Sequence, residues 1–393
     1  MVASGSGWLG LLCVAWLLGA CTGSDTDTAP YDGPPAYPNR RPQYPSEGRT
    51  LGYVTNHLSD TISVVDLDAM LELGQAPVGR GPVDIDGPRH LVIDRAHGVA
   101  YVALAYPAAI DGSAGNAVRP GYVQALALPD LRVLGELRLE PNPGAVALSD
   151  DGERLAIAHY DLTLAARSGE DLEARRASLW LIDPAAVLKG DASDAQRLTL
   201  CVAPWALAFA GTRLYGTCTG EEALAVVDPS QPSVLARVEV PQQGSVNKPW
   251  ALAVNAEHSQ LAVSNKVSRS LALFDLGEDA AEPAFQASVS VPGVPYFGAW
   301  SGATRLIVPL QSPDGAALLD MDDAQLVVDV RYDMQTCVHP QQVRAISDGR
   351  VFMVCEGDHF SPGTLVQLDP DTLHVMASVS LGLDPDWLAV VEP

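Results

Sequence analysis

Short apolar runs of five to seven residues recur along most of the chain, and a proline opens one run in each set. Pro88 leads into Arg-His-Leu-Val-Ile, Pro143 into Gly-Ala-Val-Ala-Leu, Pro204 into Trp-Ala-Leu-Ala-Phe and Pro249 into Trp-Ala-Leu-Ala-Val. The series continues at Pro295, Pro340 and Pro385. Runs this short, bounded by Gly, Asp, Asn and Pro, predict strands rather than helices. Within each set the order holds. A first strand meets a turn such as 149–152 or 347–349, and a second strand follows, as at 154–158 or 260–264. A third strand then ends in Asp66, Asp183, Asp228, Asp275, Asp320 or Asp369. A carboxylate placed just after a strand accepts N–H groups of the turn, so these six aspartates are assigned to hairpins and not to catalysis. No helical heptad or long amphipathic segment interrupts the pattern.

The prolines are spaced by 55, 61, 45, 46, 45 and 45 residues. A period near 45 with four short strands per unit predicts an all-β, seven-bladed β-propeller of four-stranded antiparallel blades. The first unit, starting at Leu51, lacks its inner strand, and the last proline, Pro385, is followed by one strand only. Placing the C-terminal strand inside the first blade completes seven blades and leaves no open edge. The predicted propeller covers residues 49–393 and is expected to be monomeric.

Residues 1–20 form an export signal, with an apolar run from Leu9 to Leu18 that is too short to span a bilayer. The run ends in Leu18-Gly19-Ala20-Cys21, which resembles the lipobox of bacterial lipoproteins, although Met1 to Trp8 contain neither Lys nor Arg. The resemblance implies lipidation of Cys21, cleavage before it, and firm attachment by two or three acyl chains. Thr22 stands where an Asp would favour inner-membrane retention, which leans toward the outer membrane. Residues 21–48, rich in Pro, are expected to form an extended linker, with Tyr31, Tyr37 and Tyr44 exposed on it. The chain carries 48 acidic and 24 basic residues, a formal charge of −24. A field of that sign repels phosphate backbones and excludes a nucleic-acid partner.

Tyr53-Val54-Thr55-Asn56, followed by Thr61-Ile-Ser-Val-Val-Asp66, resembles the YVTN-type β-propeller repeat. That family includes surface-layer and secreted propellers, and its wider relatives include lactonase-like and quinoprotein- or haem-associated ones. The resemblance therefore implies a fold and no single function.

Candidate chemistry gathers on the face carrying the strand 2–3 loops and the 4–1 crossovers. The long repeats owe their extra length to insertions at 106–120 and 160–176, which would form neighbouring loops on that face. The strand-two ends align as His57, Ala105, His159, Cys218, Asn265, Leu310 and Cys355, which puts His57 and His159 in one register as candidate metal ligands. Four cysteines remain after signal removal and lipidation. Cys201/Cys218 and Cys337/Cys355 are matched pairs within two blades, and predict two local disulfides in an oxidising compartment rather than one metal cluster. No Cys-x-x-Cys-His motif indicates covalent haem. His339, His359, Lys266, Asp86, Asn142, Asn247 and Asp384 are further ligand-face candidates, while Trp205 and Trp250 are expected to pack between blades. No phosphate loop, dinucleotide fingerprint or nucleophile elbow is present. The sequence thus favours a non-catalytic envelope module binding a protein or glycan on the long-loop face. The alternative is a periplasmic or surface enzyme or cofactor carrier, with a divalent metal or cofactor in the channel mouth.

Overall fold

The computed structural model describes residues 35–393, apart from 38, 40, 83–84, 106–119, 168, 242–243, 245, 256–258 and 278–281. The expected signal segment, Cys21 and most of the first insertion lie outside the described residues. Seven separate antiparallel sheets form seven blades. Blade 1 holds Leu51–Asn56, Thr61–Asp66 and Leu71–Pro77, with the C-terminal strand Pro385–Val391 on its inner side. Blades 2, 3 and 4 begin at Pro88, Pro143 and Pro204, and blades 5, 6 and 7 at Pro249, Val294 and Pro340. Closure is as expected: the last strand runs antiparallel to the first, with Leu51 opposite Val391 and Tyr53 opposite Ala389.

The proline ladder has a local cause. In six blades the residue before the proline, namely Gly87, Asn142, Ala203, Lys248, His339 or Asp384, has a left-handed backbone with φ between 50° and 63°. This conformation reverses the chain from the outer strand of one blade into the inner strand of the next. The carbonyl of each such residue accepts an N–H from the residue just past strand two of the same blade: His57, Ala105, Tyr160, Thr219, Lys266 or Glu356. Proline has no N–H to give at the strand's first position, so none is wasted there. Blade 6 departs from the rule. Its inner strand is split into Val294–Pro295 and Ala299–Trp300, and between them Phe297 exchanges backbone bonds with Gln341 and Val343 of blade 7.

All six strand-ending aspartates accept turn N–H groups, as when Asp228 accepts from Ser230 and Gln231. Both disulfides are formed, Cys201–Cys218 in blade 4 with the end of blade 3, and Cys337–Cys355 at blade 7.

The linker expectation is corrected in its C-terminal part. Asn39 pairs with the backbone of Val133 in both directions, and Arg41 donates to Pro77 at 2.8 Å. Tyr44 is buried in the core between blades 1 and 2, where its ring covers Gly74. Tyr37 is half-buried, and Tyr31 lies outside the described residues. An aromatic side chain gains more by covering an exposed blade flank than by staying in water, so this segment straps onto the ring instead of standing off it.

Candidate functional site

Several inner strands carry a large side chain at their second or third residue, and these meet between blades. His90 of blade 2 stacks on Trp387 of blade 1 at 4.0 Å, and meets the edge of Phe297 of blade 6 at 5.1 Å. Trp205 of blade 4 stacks on Trp250 of blade 5 at 4.3 Å, with Tyr160 of blade 3 against both. These contacts between blades make an aromatic floor. Burial pushes the His90 imidazole down to about 3, so it stays neutral.

Charged groups stand on this floor. The Arg89 guanidinium lies 5.1 Å from the Trp205 ring, and its Nη2 lies 3.5 Å from His57 Nε2. The Lys266 ammonium sits over Trp250 at 3.9 Å and Tyr296 at 4.4 Å. Burial lowers that amine to about 8, with Glu356 opposing. Asp386 is buried, accepts a hydrogen bond from Gln341 at 3.0 Å, and is raised to about 6 by burial. Asp384 is raised to about 6 by burial and by the nearby Glu356 charge. His57 is pushed well below its usual range by burial and then by Arg89.

Several of these groups are unsatisfied. Arg89 Nε, His90 Nε2, Gln341 Oε1, Asp386 Oδ2 and both indole N–H groups of Trp205 and Trp250 are buried without a hydrogen-bond partner. A buried polar atom without a partner costs about 1–3 kcal/mol, and six around one channel call for an occupant, whether water or ligand.

At the rim on the blade 7 side, His339, Glu356 and His359 bring one ligand atom each to within 4.8 Å of one another. His359 Nε2 lies 3.4 Å from Glu356 Oε2 and 3.5 Å from Asp384 Oδ1. The hydrogen bond to Glu356 holds the His359 imidazole above its usual range.

Five of the sequence candidates, His57, His339, His359, Lys266 and Asp384, therefore meet at this mouth. Others serve the crossovers. Asp86 accepts the N–H of Gly81 at 2.9 Å, Asn142 donates to the Tyr160 carbonyl, and Asn247 donates to the Val240 carbonyl at 2.9 Å. The register of the two candidate metal histidines is corrected. Pro143 pairs with His159, whereas Pro385 pairs with Asn56, so His57 is equivalent to Tyr160 and His159 to Asn56. One residue of slip turns a side chain to the other face. His159 accordingly contacts Ser178 and Trp180 within blade 3, beside a cavity of about 120 Å³ bounded by Glu140 and Arg176. Arg89, Glu356 and Asp386 were missed. Arg89 and Asp386 each directly follow a ladder proline, the signal that could have found them.

No protein-family model matches the chain, and no curated protein matches it. Solved structures do. A periplasmic gluconolactonase from Pseudomonas aeruginosa is similar at 14% identity and TM-score 0.64, over 87% of this chain and 99% of that one. A putative 6-phosphogluconolactonase from Bacteroides fragilis is similar at 14% identity and TM-score 0.65, over 89% of this chain and 100% of the other. The dihydro-haem d1 dehydrogenase NirN is similar at 15% identity and TM-score 0.57, over 91% of this chain and 78% of its own. At these identities the likeness establishes the propeller fold.

Proposed function

We propose that this is an extracytoplasmic, lipid-anchored propeller that binds a small oxygen-rich ligand, a sugar-acid anion or its neutral lactone, in the channel mouth. The observation that carries this reading is the ring of buried, unpartnered polar atoms around Arg89 on an aromatic floor. Arg89 and Lys266 supply cationic charge for a carboxylate, and the orphaned indole N–H groups and Gln341 supply donors and an acceptor for hydroxyls. Flat aromatic faces suit the apolar side of a sugar ring. Similarity to two proteins described as lactonases agrees with that ligand class. The reading keeps the notion of a binding module, and moves the ligand from the long loops to the channel.

Two disulfides agree with an oxidising compartment, and the Leu18–Cys21 lipobox with a membrane anchor. Release of a Cys21→Ser variant from the membrane fraction tests the anchor; retention there refutes it.

Calorimetry of the purified protein with gluconate and glucono-δ-lactone tests the site. Binding of either ligand, weakened about tenfold or more by Arg89→Ala, is expected from loss of a charge-assisted contact. No heat with either ligand, or binding indifferent to Arg89, removes the proposal. Acid release on adding the lactone distinguishes a hydrolase from a binding module.

A further inference from the structure

The rim cluster in blade 7 has properties that the anion site does not use. His339 Nδ1 lies 2.9 Å from the carbonyl of Gly357. A carbonyl can only accept, so Nδ1 donates here and Nε2 is the nitrogen available to a ligand. That is the usual way in which a ligating imidazole is oriented and its tautomer fixed. His359 and Glu356 supply the other two ligand atoms, from a short loop folded by Asp358, which accepts N–H groups from Phe360 and Ser361. His359 itself has a left-handed backbone, φ 64°, a strained conformation that the loop imposes.

The staple is the second argument. Cys337–Cys355 ties together the two backbone segments that carry the three side chains: Cys337 lies two residues before His339, and Cys355 directly precedes Glu356. Across the same junction the Glu356 N–H donates to the His339 carbonyl. Blade 4 shows what the staple does alone. Cys201–Cys218 holds the same two segments there, with Ala203 and Thr219 in the places of His339 and Glu356, and no ligand set arises. The ligating residues are therefore specific to blade 7 and not a by-product of the disulfide.

We propose that His339, Glu356 and His359 form a binding site for one divalent transition-metal ion of the zinc and cobalt class. Two imidazoles and one carboxylate suit such an ion, and three protein ligands leave a fourth position open toward the channel. Asp384 Oδ1 lies 3.5 Å from the same His359 Nε2 that faces Glu356, so it stands as a further carboxylate beside the ligand set. The site deepens the anion-binding reading by adding a second occupant to the same mouth, yet it uses different residues and can be tested separately.

The test uses the full disulfide-bonded protein, stripped with a chelator, dialysed and titrated with Co²⁺ while visible absorption is recorded. Zn²⁺ affinity is then measured by competition with a chromophoric chelator. One equivalent of Co²⁺ giving a ligand-field band that Zn²⁺ abolishes is expected. His339→Ala, His359→Asn and Glu356→Gln should each weaken Zn²⁺ about tenfold or more, Asp384→Asn less, and His159→Ala not at all. Circular dichroism melting of each variant identifies any that fail to fold, and the conservative His359→Asn and Glu356→Gln carry the test if His339→Ala is one of them. Absence of stoichiometric binding, or binding that folded variants leave unchanged, overturns the site. Gluconate binding by the stripped protein is read in parallel, so the metal site and the anion site fail independently.

Discussion

Asp386 shows how a single residue sets the character of the mouth. Its carboxyl is buried, has one partner in Gln341, and is raised to about 6 by burial. In the unfolded chain the same carboxyl titrates near 3.9. Between those two values the folded protein holds more protons than the unfolded one, so this residue's contribution to stability falls as pH rises through that window. Above about pH 6 the charged form is buried at a cost, on the order of 2–3 kcal/mol from the size of the shift. Asp386→Asn keeps an oxygen for Gln341 and removes the charge. It should raise the melting temperature by a few degrees near pH 7.5 and change little near pH 4; a variant less stable near pH 7.5 alone would show that Arg89 needs the charge. The place of Asp386 after a ladder proline marks it as an inner-strand residue, but its sequence neighbours do not mark its carboxyl as buried. What sets it apart is burial, which only the closed ring creates.

At the scale of the element, the proline ladder was legible because proline at a strand's first position is both rare and regular. The register at the far end of strand two was not. His159 and Tyr160 follow an unbroken apolar run, and the strand's end is set by the Tyr160 N–H reaching the Asn142 carbonyl, 18 residues back. Nor did the left-handed residue before each proline announce itself, since Gly, Asn, Ala, Lys, His and Asp share no side-chain chemistry. The cysteine pairs were legible because their equivalent placement in two blades leaves little else for them to do. Each disulfide closes a loop of 17 or 18 residues and should stabilise by roughly 3 kcal/mol. The two should nevertheless differ in consequence. Replacing Cys201 and Cys218 by Ser should lower the melting temperature and leave Co²⁺ binding intact. The same change at Cys337 and Cys355 should lower both, because the His339 and Glu356 segments lose their tie. Equal effects on Co²⁺ binding would separate the metal from the staple.

For the whole molecule the decisive interaction is between the two ends of the ring. Pro385–Val391 lies opposite Leu51–Asn56, more than 300 residues away in sequence, and it is bound on its other side as well. Gln342 of blade 7 accepts the Leu388 N–H at 2.6 Å, and Arg95 of blade 2 donates to the Val390 carbonyl at 3.2 Å. Trp387 stacks on His90 and meets Phe297 edge-on, so one strand joins blades 1, 2, 6 and 7. Leu388 and Val390 are buried, and burying each contributes roughly 1.5–3 kcal/mol. Without the strand, Leu51–Asn56 becomes an exposed edge rich in apolar residues, a template for pairing with another chain. A chain ending at Pro385 should therefore aggregate, or melt far below the full protein, and also lose anion binding, since the Trp387 ring that stacks on His90 departs with it. Scanning calorimetry with light scattering measures this. A truncated protein that stays monomeric and keeps its melting temperature would mean that the outer strands of blade 1 hold the ring closed by themselves. The His339, Glu356 and His359 side chains all belong to blade 7, so a soluble fraction of truncated protein that retained Co²⁺ while losing gluconate would mark the rim as a unit of one blade and the floor as a product of closure.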